Sequence, residues 1–405
     1  MRRPILSVVV TLILCSLLVS SAETGGRKDV FFFAPFSDPL EIDILTNQIK
    51  AFEANNPDIR VYPDFVPGSH YNNKLQMMAV SGRVPDVFAL DVFYGPLCRE
   101  IAQPLDRFWQ RDGDEFDPGL IEKFRFYKDG GLYGIPGSFN SLGLFYNREL
   151  LAERGLNAPE NWNDLIEKVR KLTKRDLRRY GIAFGDATVS FLAFAIANGA
   201  SPLKNINEAL IDVGSDEAIR ALEFYLELQR NFPSFPWVVG AEGVKQAFIN
   251  GQAAMILEGS WSSRHIREMS PKLNYSVARL PSADAGGRGN LLFATVYSIA
   301  NQTKVPEESW KLIKFLIGEE SQKLWLESRI GLPLHKDVEN LFPTEYSVNR
   351  AFYADMDVAK LYSFDRIGSL YIPEVERAIK RATMGQAPDE ALGHAVKEIK
   401  NALGI

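Results

Sequence analysis

The hydrophobic positions of this chain alternate between short continuous runs and stripes spaced as in a helix. Residues 31–33 form a compact apolar run, helix-spaced apolar residues follow up to Asn55, and residues 59–62 form a second short run. Short continuous runs are typical of strands buried on both faces, and a 3.6-residue spacing is typical of amphipathic helices. The chain is therefore predicted to open with a β-α-β unit.

The same alternation continues along the chain. A nearly continuous apolar run over residues 84–91 ends at the acidic Asp91, which is predicted to lie near a strand end. Helix-spaced apolar stripes recur at three later places: residues 162–172, 310–317 and 392–403. Strands that alternate with helices predict parallel sheets, and a length of 405 residues predicts two such sheets, one for each lobe.

Residues 248–261 are the most informative segment, because their apolar run ends abruptly in Gly259, Ser260 and Trp261. A short apolar run followed by Gly and Ser predicts a buried strand and a turn. Ligands in α/β sheets collect just beyond the carboxyl ends of the strands, so Trp261 is predicted to stand at a ligand site. The alternative, on these residues alone, is an indole that only buries area in the core.

Two breaks rich in Gly and Pro, at residues 133–138 and 280–287, predict connections between lobes. Since they are far apart in the chain, we expect its middle to form one lobe inserted between two parts of the other. The expected boundaries are a signal peptide at 1–22, a first lobe from 28–136 and 289–335, and a second lobe from 137–288 and 336–405.

The amino terminus is typical of a secretory signal peptide. Arg2 and Arg3 precede an apolar stretch at residues 5–19, and small residues end at Ala22. The stretch is short for a bilayer span, and an uncleaved anchor is the alternative. Cleavage after Ala22 predicts a periplasmic or extracellular protein in which Cys98 is the sole cysteine, so no intramolecular disulfide can form.

Composition and motifs exclude several function classes. A net charge of -5 gives no support to nucleic-acid binding. The four histidines are scattered, and no zinc, nucleotide-binding or serine-hydrolase motif occurs, so we expect no metal, no cofactor and no catalytic residue of those kinds. Paired carboxylates that cleave glycosides leave no short signature, and a secreted glycoside-cleaving enzyme therefore stays an alternative.

Aromatic, amide and acidic residues recur at the predicted strand ends and breaks. A sugar ring presents an apolar face that an aromatic ring can cover and a rim of hydroxyls that carboxylates and amides can bind. The set therefore predicts a carbohydrate site. Its members are Phe36, Asp91, Tyr94, Phe139, Asn140, Trp261 and Tyr371.

Five segments, in the same order, resemble extracellular solute-binding proteins of ABC transporters, the family that includes the maltose-binding and other sugar-binding proteins. The segments are 52–61, 71–75 with 81–87, 132–136, 144–147, and 248–255 with 259–261. The resemblance implies the type II periplasmic-binding-protein fold, which has two α/β lobes joined by a hinge and a ligand cleft between them. It implies a monomeric, non-catalytic protein that delivers a sugar or oligosaccharide to the transmembrane subunits of an ABC permease.

The resemblance also implies a role for individual residues. Polar contacts to the solute would come from loops after the first and third strands and from the first break, and two aromatic residues would sandwich a sugar ring. Thr295 lies in the strand after the second break, where residues 293–295 depart from the family's usual glycines and aromatic. The same fold with a polyamine, phosphate ester or metal complex as solute is a further alternative. The implied residues are Phe36, Ser37, Asp91, Tyr94, Asn140, Trp261, Thr295 and Tyr371.

Overall fold

A computed structural model describes residues 26–404 except 93–94, 114–115, 117, 126–128, 175, 177, 201–211, 232–239, 329–330, 333–346 and 363–367. The strands are β1 Lys28–Ala34, β2 Ile59–Phe65, β3 Val87–Asp91, β4 Ile135–Asn147, β5 Ala183–Phe184, β6 Met255–Gly259, β7 Tyr275–Ala278, β8 Leu291–Ile299 and β9 Lys360–Leu361.

The helices surround these strands on both faces. In chain order they are α1 Pro39–Asn55, α2 Gly68–Val80, α3 Gly95–Ile101, α4 Asp106–Asp112, α5 Pro118–Glu122, α6 Arg148–Ala152, α7 Trp162–Leu172, α8 Ala187–Ala197, α9 Asp216–Asn231, α10 Gly240–Ile249, α11 Ser262–Met269, α12 Pro306–Ile317, α13 Glu319–Glu327, α14 Ser347–Tyr353, α15 Gly368–Thr383 and α16 Pro388–Leu403. The β-α-β opening and the three later helices predicted from the apolar stripes are confirmed.

The strands form one mixed sheet across the described residues, in the order β2-β1-β3-β8-β4-β6-β5, with β7 on β4 and β9 on β8. Pairing is parallel between β1 and its neighbours, and antiparallel wherever β4 takes part. The prediction of two parallel sheets is wrong for this reason. Parallel neighbours need a crossover helix between them, whereas β4 and β8 carry the chain directly from one lobe to the other and run antiparallel to each other and to β3, β6 and β7.

Strands β4 and β8 belong to both lobes. Residues 135–141 of β4 pair with β8, and residues 142–147 pair with β6 and β7. In β8, residues 295–299 pair with β3 of the first lobe, and residues 291–292 pair with β9. The hinge between the lobes is therefore a hydrogen-bonded ladder of two strands rather than a pair of free loops.

The first predicted break lies inside this ladder. The pairing of β4 with β8 shifts between Pro136 and Ser138, which leaves Gly137 at an irregularity. A Cβ atom on Gly137 would lie 2.5 Å from the ring of Tyr297, so only glycine allows the two strands to approach this closely. Glycine and proline here mark a bent strand, although the same residues in a sequence are read more readily as a loop.

The apolar stripes predicted from the sequence form the core. Helix α7 buries Trp162, Leu165, Val169 and Leu172, and Trp162 stacks on Phe224 at 4.1 Å. One hydrophobic cluster extends from one face of the first lobe through the hinge into the second lobe. There the ring of the buried Phe139 contacts that of Tyr353, with 5.2 Å between the ring centroids. The other face of each lobe has a hydrophobic cluster of its own.

Candidate functional site

The β4/β8 ladder carries a set of polar and aromatic side chains on one face. Thr295 of β8 pairs with Asp91 on one side and with Ser138 on the other, and Phe293 pairs with Asn140. Directly paired residues share a face, as do residues two apart in a strand, so these five side chains lie together. All five are at least partly exposed. Since β4 and β8 join the lobes, we call this set the cleft floor.

Trp261 stands beside the cleft floor with a fixed orientation. It lies two residues beyond the end of the buried β6 and is 42% exposed. The rings of Trp261 and Phe293 are perpendicular, at 88°, with 5.2 Å between their centroids. The indole also lies over Gly259, because a Cβ atom on that residue would be 2.3 Å from the ring. One face of the indole is thus covered by its own backbone turn, and the exposed surface is available to a ligand.

A buried carboxylate precedes the turn that carries Trp261. Glu258 is 6% exposed and accepts hydrogen bonds from the Ser262 hydroxyl at 2.9 Å and from the Gly259 N–H at 3.1 Å. Burial raises the pKa of Glu258 above its ordinary value, although these hydrogen bonds oppose that shift. Glu258 is therefore tied to both sides of the turn that carries Trp261.

The next residue along the chain positions the amide of the cleft floor. The Ser260 hydroxyl donates to the side-chain oxygen of Asn140 at 2.7 Å. This bond fixes which way the Asn140 amide points, because an amide has distinct donor and acceptor ends. The NH₂ group of Asn140 has no hydrogen-bond partner among the described residues and is free to bind an acceptor oxygen.

Tyr362 contacts the cleft floor through its ring and its backbone. Its ring packs on Phe293 at 5.1 Å, and its backbone N–H bonds to Leu292 at the start of β8. Burial first, and then the negative charges of Asp186 and Asp91, raise the pKa of the Tyr362 hydroxyl. The charges of one carboxylate from each lobe therefore both raise the pKa of this hydroxyl. Asp186 also caps α8 by accepting from the Val189 N–H at 2.9 Å.

An ion pair joins the lobes near this site. Arg264 of α11, in the second lobe, binds Asp38 at 3.2 Å and Glu268 at 2.7 Å. Asp38 precedes α1 of the first lobe and accepts the Leu40 N–H at 2.8 Å as its cap. Burial alone would raise the pKa of Asp38, but the cap bond and Arg264 outweigh it and hold the pKa below its ordinary value.

The pKa of Glu41, in the first turn of α1, is shifted in the opposite direction. Burial and the neighbouring charge of Asp38 raise the pKa of Glu41 to about 7, and Arg264 opposes the shift only in part. The carboxyl is therefore protonated in mildly acidic solution and becomes charged near neutral pH. The interlobe contact thus contains one acid that stays ionised and one that titrates near pH 7.

Replacing Glu41 by Gln should flatten the pH dependence of stability. Because the pKa of Glu41 in the folded protein lies above its ordinary value, its stabilising contribution is fully present below about pH 4.5 and is lost as the pH rises through 7. Between pH 5 and pH 8, the free energy of unfolding of the unmodified protein should fall by on the order of 2 kcal/mol more than that of E41Q.

Urea unfolding at several pH values measures this difference. Asp43→Asn is the matched control, since Asp43 is an exposed carboxylate on the same helix. The same pH slope for E41Q and the unmodified protein, with D43N also unchanged, would contradict the assignment.

The other residues expected at the site are placed as follows. Phe36 is partly buried and packs on Trp325 at 6.0 Å, and Ser37 is exposed in the same loop. Tyr371 is 3% exposed in the hydrophobic core of the second lobe, where burial raises the pKa of its hydroxyl well above the ordinary value. Its contact with a ligand stays a prediction. Tyr94 lies outside the described residues.

Sequence reasoning missed several members of this site. Phe293 and Tyr362 come together because β9 pairs with the start of β8, which no local pattern reveals. The charge of Asp186 acts on the Tyr362 hydroxyl from the start of α8. Arg264 and Glu258 were also missed. A usable signal existed for Asp186, an Asp directly before the apolar run 187–197, because Asp in that position is typical of a helix cap.

Two kinds of structure are absent from the described residues. No group of three or more His, Cys, Asp or Glu side chains there could hold a metal ion. None of the helices in the same part of the chain combines the length and the apolar character that crossing a bilayer requires.

Comparison with known proteins gives consistent results. Residues 38–323 match the family described as bacterial extracellular solute-binding protein. The multiple sugar-binding protein of Streptococcus mutans is 23% identical over 329 residues, which are 76% of each chain. The sn-glycerol-3-phosphate-binding periplasmic protein UgpB of Shigella dysenteriae is 24% identical over 323 residues, 74% of this chain and 72% of UgpB.

A solved structure shows the same fold. The sugar-binding protein MalE of Xanthomonas citri superimposes with a TM-score of 0.82 at 23% identity, covering 93% of this chain and 98% of MalE. At this identity the likeness concerns the fold alone. It bears out the type II arrangement of two α/β lobes with a cleft between them.

Proposed function

The chain belongs to the bacterial extracellular solute-binding proteins, and from that premise we propose that it binds a sugar or oligosaccharide in the cleft between its lobes. The family is extracytoplasmic, and the relatives and structural neighbours described above are binding proteins. The bound solute would be handed to the transmembrane subunits of an ABC permease after export by the signal peptide, with the protein acting as a monomer and without catalysis.

Trp261 carries the proposal. A half-exposed indole with one face covered is a platform on which the apolar face of a sugar ring can stack. Close to it, the free NH₂ of Asn140 and the carboxylate of Asp91 supply a donor and an acceptor for hydroxyl groups. An apolar platform with a few convergent polar groups is the usual composition of a small-molecule site.

The charges near the cleft favour a neutral solute over a phosphate ester. The carboxylates of Asp91 and Asp186 both raise the pKa of Tyr362, so their field reaches the cleft floor. The guanidinium of Arg264, in the helix that follows Trp261, already binds two carboxylates. A phosphate group would meet like charges there with little compensation, whereas sugar hydroxyls can donate to the same carboxylates.

The lobes would close around the solute by bending at the β4/β8 ladder. We propose residues 28–136 and 289–335 for the first lobe and 137–288 and 336–405 for the second. A solute that contacts Trp261 from the second lobe and Asp91 from the first gains both sets of contacts only when the lobes approach. Ligand binding therefore favours the closed form, as in hinge-type closure.

Tryptophan fluorescence and calorimetry against a panel of solutes test this function. The panel contains neutral mono- and oligosaccharides, glycerol 3-phosphate and spermidine, and the protein is unfolded and refolded first to remove any carried ligand. We expect saturable binding of at least one neutral saccharide and none of glycerol 3-phosphate. Saturation by spermidine or glycerol 3-phosphate with no response to any saccharide would overturn the proposal. Release of shorter oligosaccharides during incubation would favour the glycosidase alternative.

A further inference from the structure

A second pocket, of about 740 Å³, lies on the second lobe between α6 and the end of β7. Three arginines line it: Arg148, Arg279 and Arg288. Its lining shares no residue with the cleft floor, with Trp261 or with the interlobe ion pair. A molecule bound there would therefore occupy a site separate from that of the proposed sugar.

Two of the arginines are held in place and still have donors to spare. The Nε atom of Arg279 donates to the buried Asp355 carboxylate at 2.9 Å, and an Nη1 atom of Arg288 donates to the Leu280 carbonyl at 3.3 Å. Each guanidinium has five N–H donors, so most of them remain unused by these contacts. Arginines fixed in this way lose little conformational entropy when they bind an anion.

The third arginine stands at the pocket without a neutralising group. Arg148 is exposed, and its side chain forms no hydrogen bond or ion pair with the described residues. Asp355 offsets Arg279, and Glu160 is the one acid among the described residues that line the pocket. Three cations against these two acids leave the pocket positive, and an oxyanion would relieve the repulsion between the guanidinium groups.

The remaining wall is apolar. Its side chains include Leu151, Leu156, Pro159 and Leu280, with the ring of Tyr146 beside them. The volume is that of a typical small-molecule site. A bare inorganic anion would leave this apolar wall in contact with water, whereas a ring that carries the charged group would cover it.

We propose that this pocket is a second binding site, for a small organic anion with a phosphate or carboxylate group on an apolar ring. The charged group binds between Arg148 and Arg288, and the ring lies against the leucines. Asp355 holds Arg279 in the pocket wall. This proposal is independent of the sugar function, because the two sites share no residues.

Titration of the full mature protein with three probes tests the site by ligand-observed NMR and calorimetry. Phenyl phosphate and benzoate have both the charge and the ring, and benzyl alcohol has the ring alone. We expect saturable binding of at least one of the two anions and none of benzyl alcohol. The anion that binds with the higher affinity shows whether the site prefers a phosphate or a carboxylate group.

A double variant, Arg148→Ala with Arg288→Ala, should weaken anion binding at least tenfold. Arg170→Ala, on the exposed face of α7, is the control for a general loss of positive charge and should leave binding unchanged. Saccharide affinity should be unchanged in both proteins, which separates failure here from failure of the sugar site. The proposal is overturned if neither anion saturates, if benzyl alcohol binds equally well, or if R170A weakens binding as much as the double variant.

Discussion

Replacing Trp261 by alanine should weaken saccharide binding by roughly 30-fold, which corresponds to about 2 kcal/mol. The indole is an exposed apolar surface beside the cleft floor, and its loss removes the platform against which the sugar ring would be desolvated. Calorimetric titration with the tightest-binding member of the saccharide panel measures the effect. W261A should remain folded, because Trp261 belongs to none of the hydrophobic clusters of the described residues.

Two further variants test whether the ring itself is responsible. Trp261→Phe keeps a smaller ring and should recover part of the affinity lost in W261A. Met269→Ala removes an exposed apolar side chain from the same region, at the end of α11, and should leave the affinity unchanged. An affinity of W261A within twofold of the unmodified protein would show that Trp261 is not the platform.

Gly259→Ala should reduce saccharide affinity by a similar factor while every cleft side chain is retained. The added Cβ would lie 2.3 Å from the benzene half of the indole, so the ring has to swing away from the turn. Because Trp261 is half-exposed, moving its ring costs less than moving β6, which is buried along its whole length. The expected result is a folded protein with a displaced platform.

Calorimetry measures the affinity of G259A, and circular dichroism with thermal unfolding shows whether the fold is intact. Gly393→Ala is the matched control, since a Cβ there meets nothing within 4 Å on helix α16. G393A should bind saccharide normally and be slightly more stable, because alanine favours helix. Normal affinity of G259A would contradict the packing of the indole on the glycine.

The local sequence pattern was sufficient to predict which residues lie at strand ends, but not which residues form the cleft floor. Asp91 and Trp261 each follow an apolar run, and the structure has Asp91 as the last residue of β3 and Trp261 just beyond β6. Phe293 and Thr295 lie inside β8, and their exposure depends on which face of that strand the packed helices and loops leave uncovered. That depends on pairings between distant residues, which periodicity in one segment does not encode.

The late aromatic residue illustrates the same limit. Tyr371 and Tyr362 are both near the carboxyl terminus, and the resemblance implied a role for Tyr371. In the structure Tyr371 is on the buried side of α15, while Tyr362 follows β9 and contacts Phe293. A helix of 16 residues has several faces. Packing against α8 and α16, rather than the helix sequence alone, determines which face of α15 is buried.

The shared strands also determine the order in which the chain can fold. Strand β3 can pair with β8 only after residues 295–299 have been synthesised, and these follow the intervening lobe in the chain. Until then the nascent first lobe has an open strand edge, and such edges are templates for aggregation. Contacts between distant segments also form slowly. The growing polypeptide should therefore need a holding chaperone until β8 emerges, and a chain truncated before residue 291 should aggregate rather than yield a soluble first lobe.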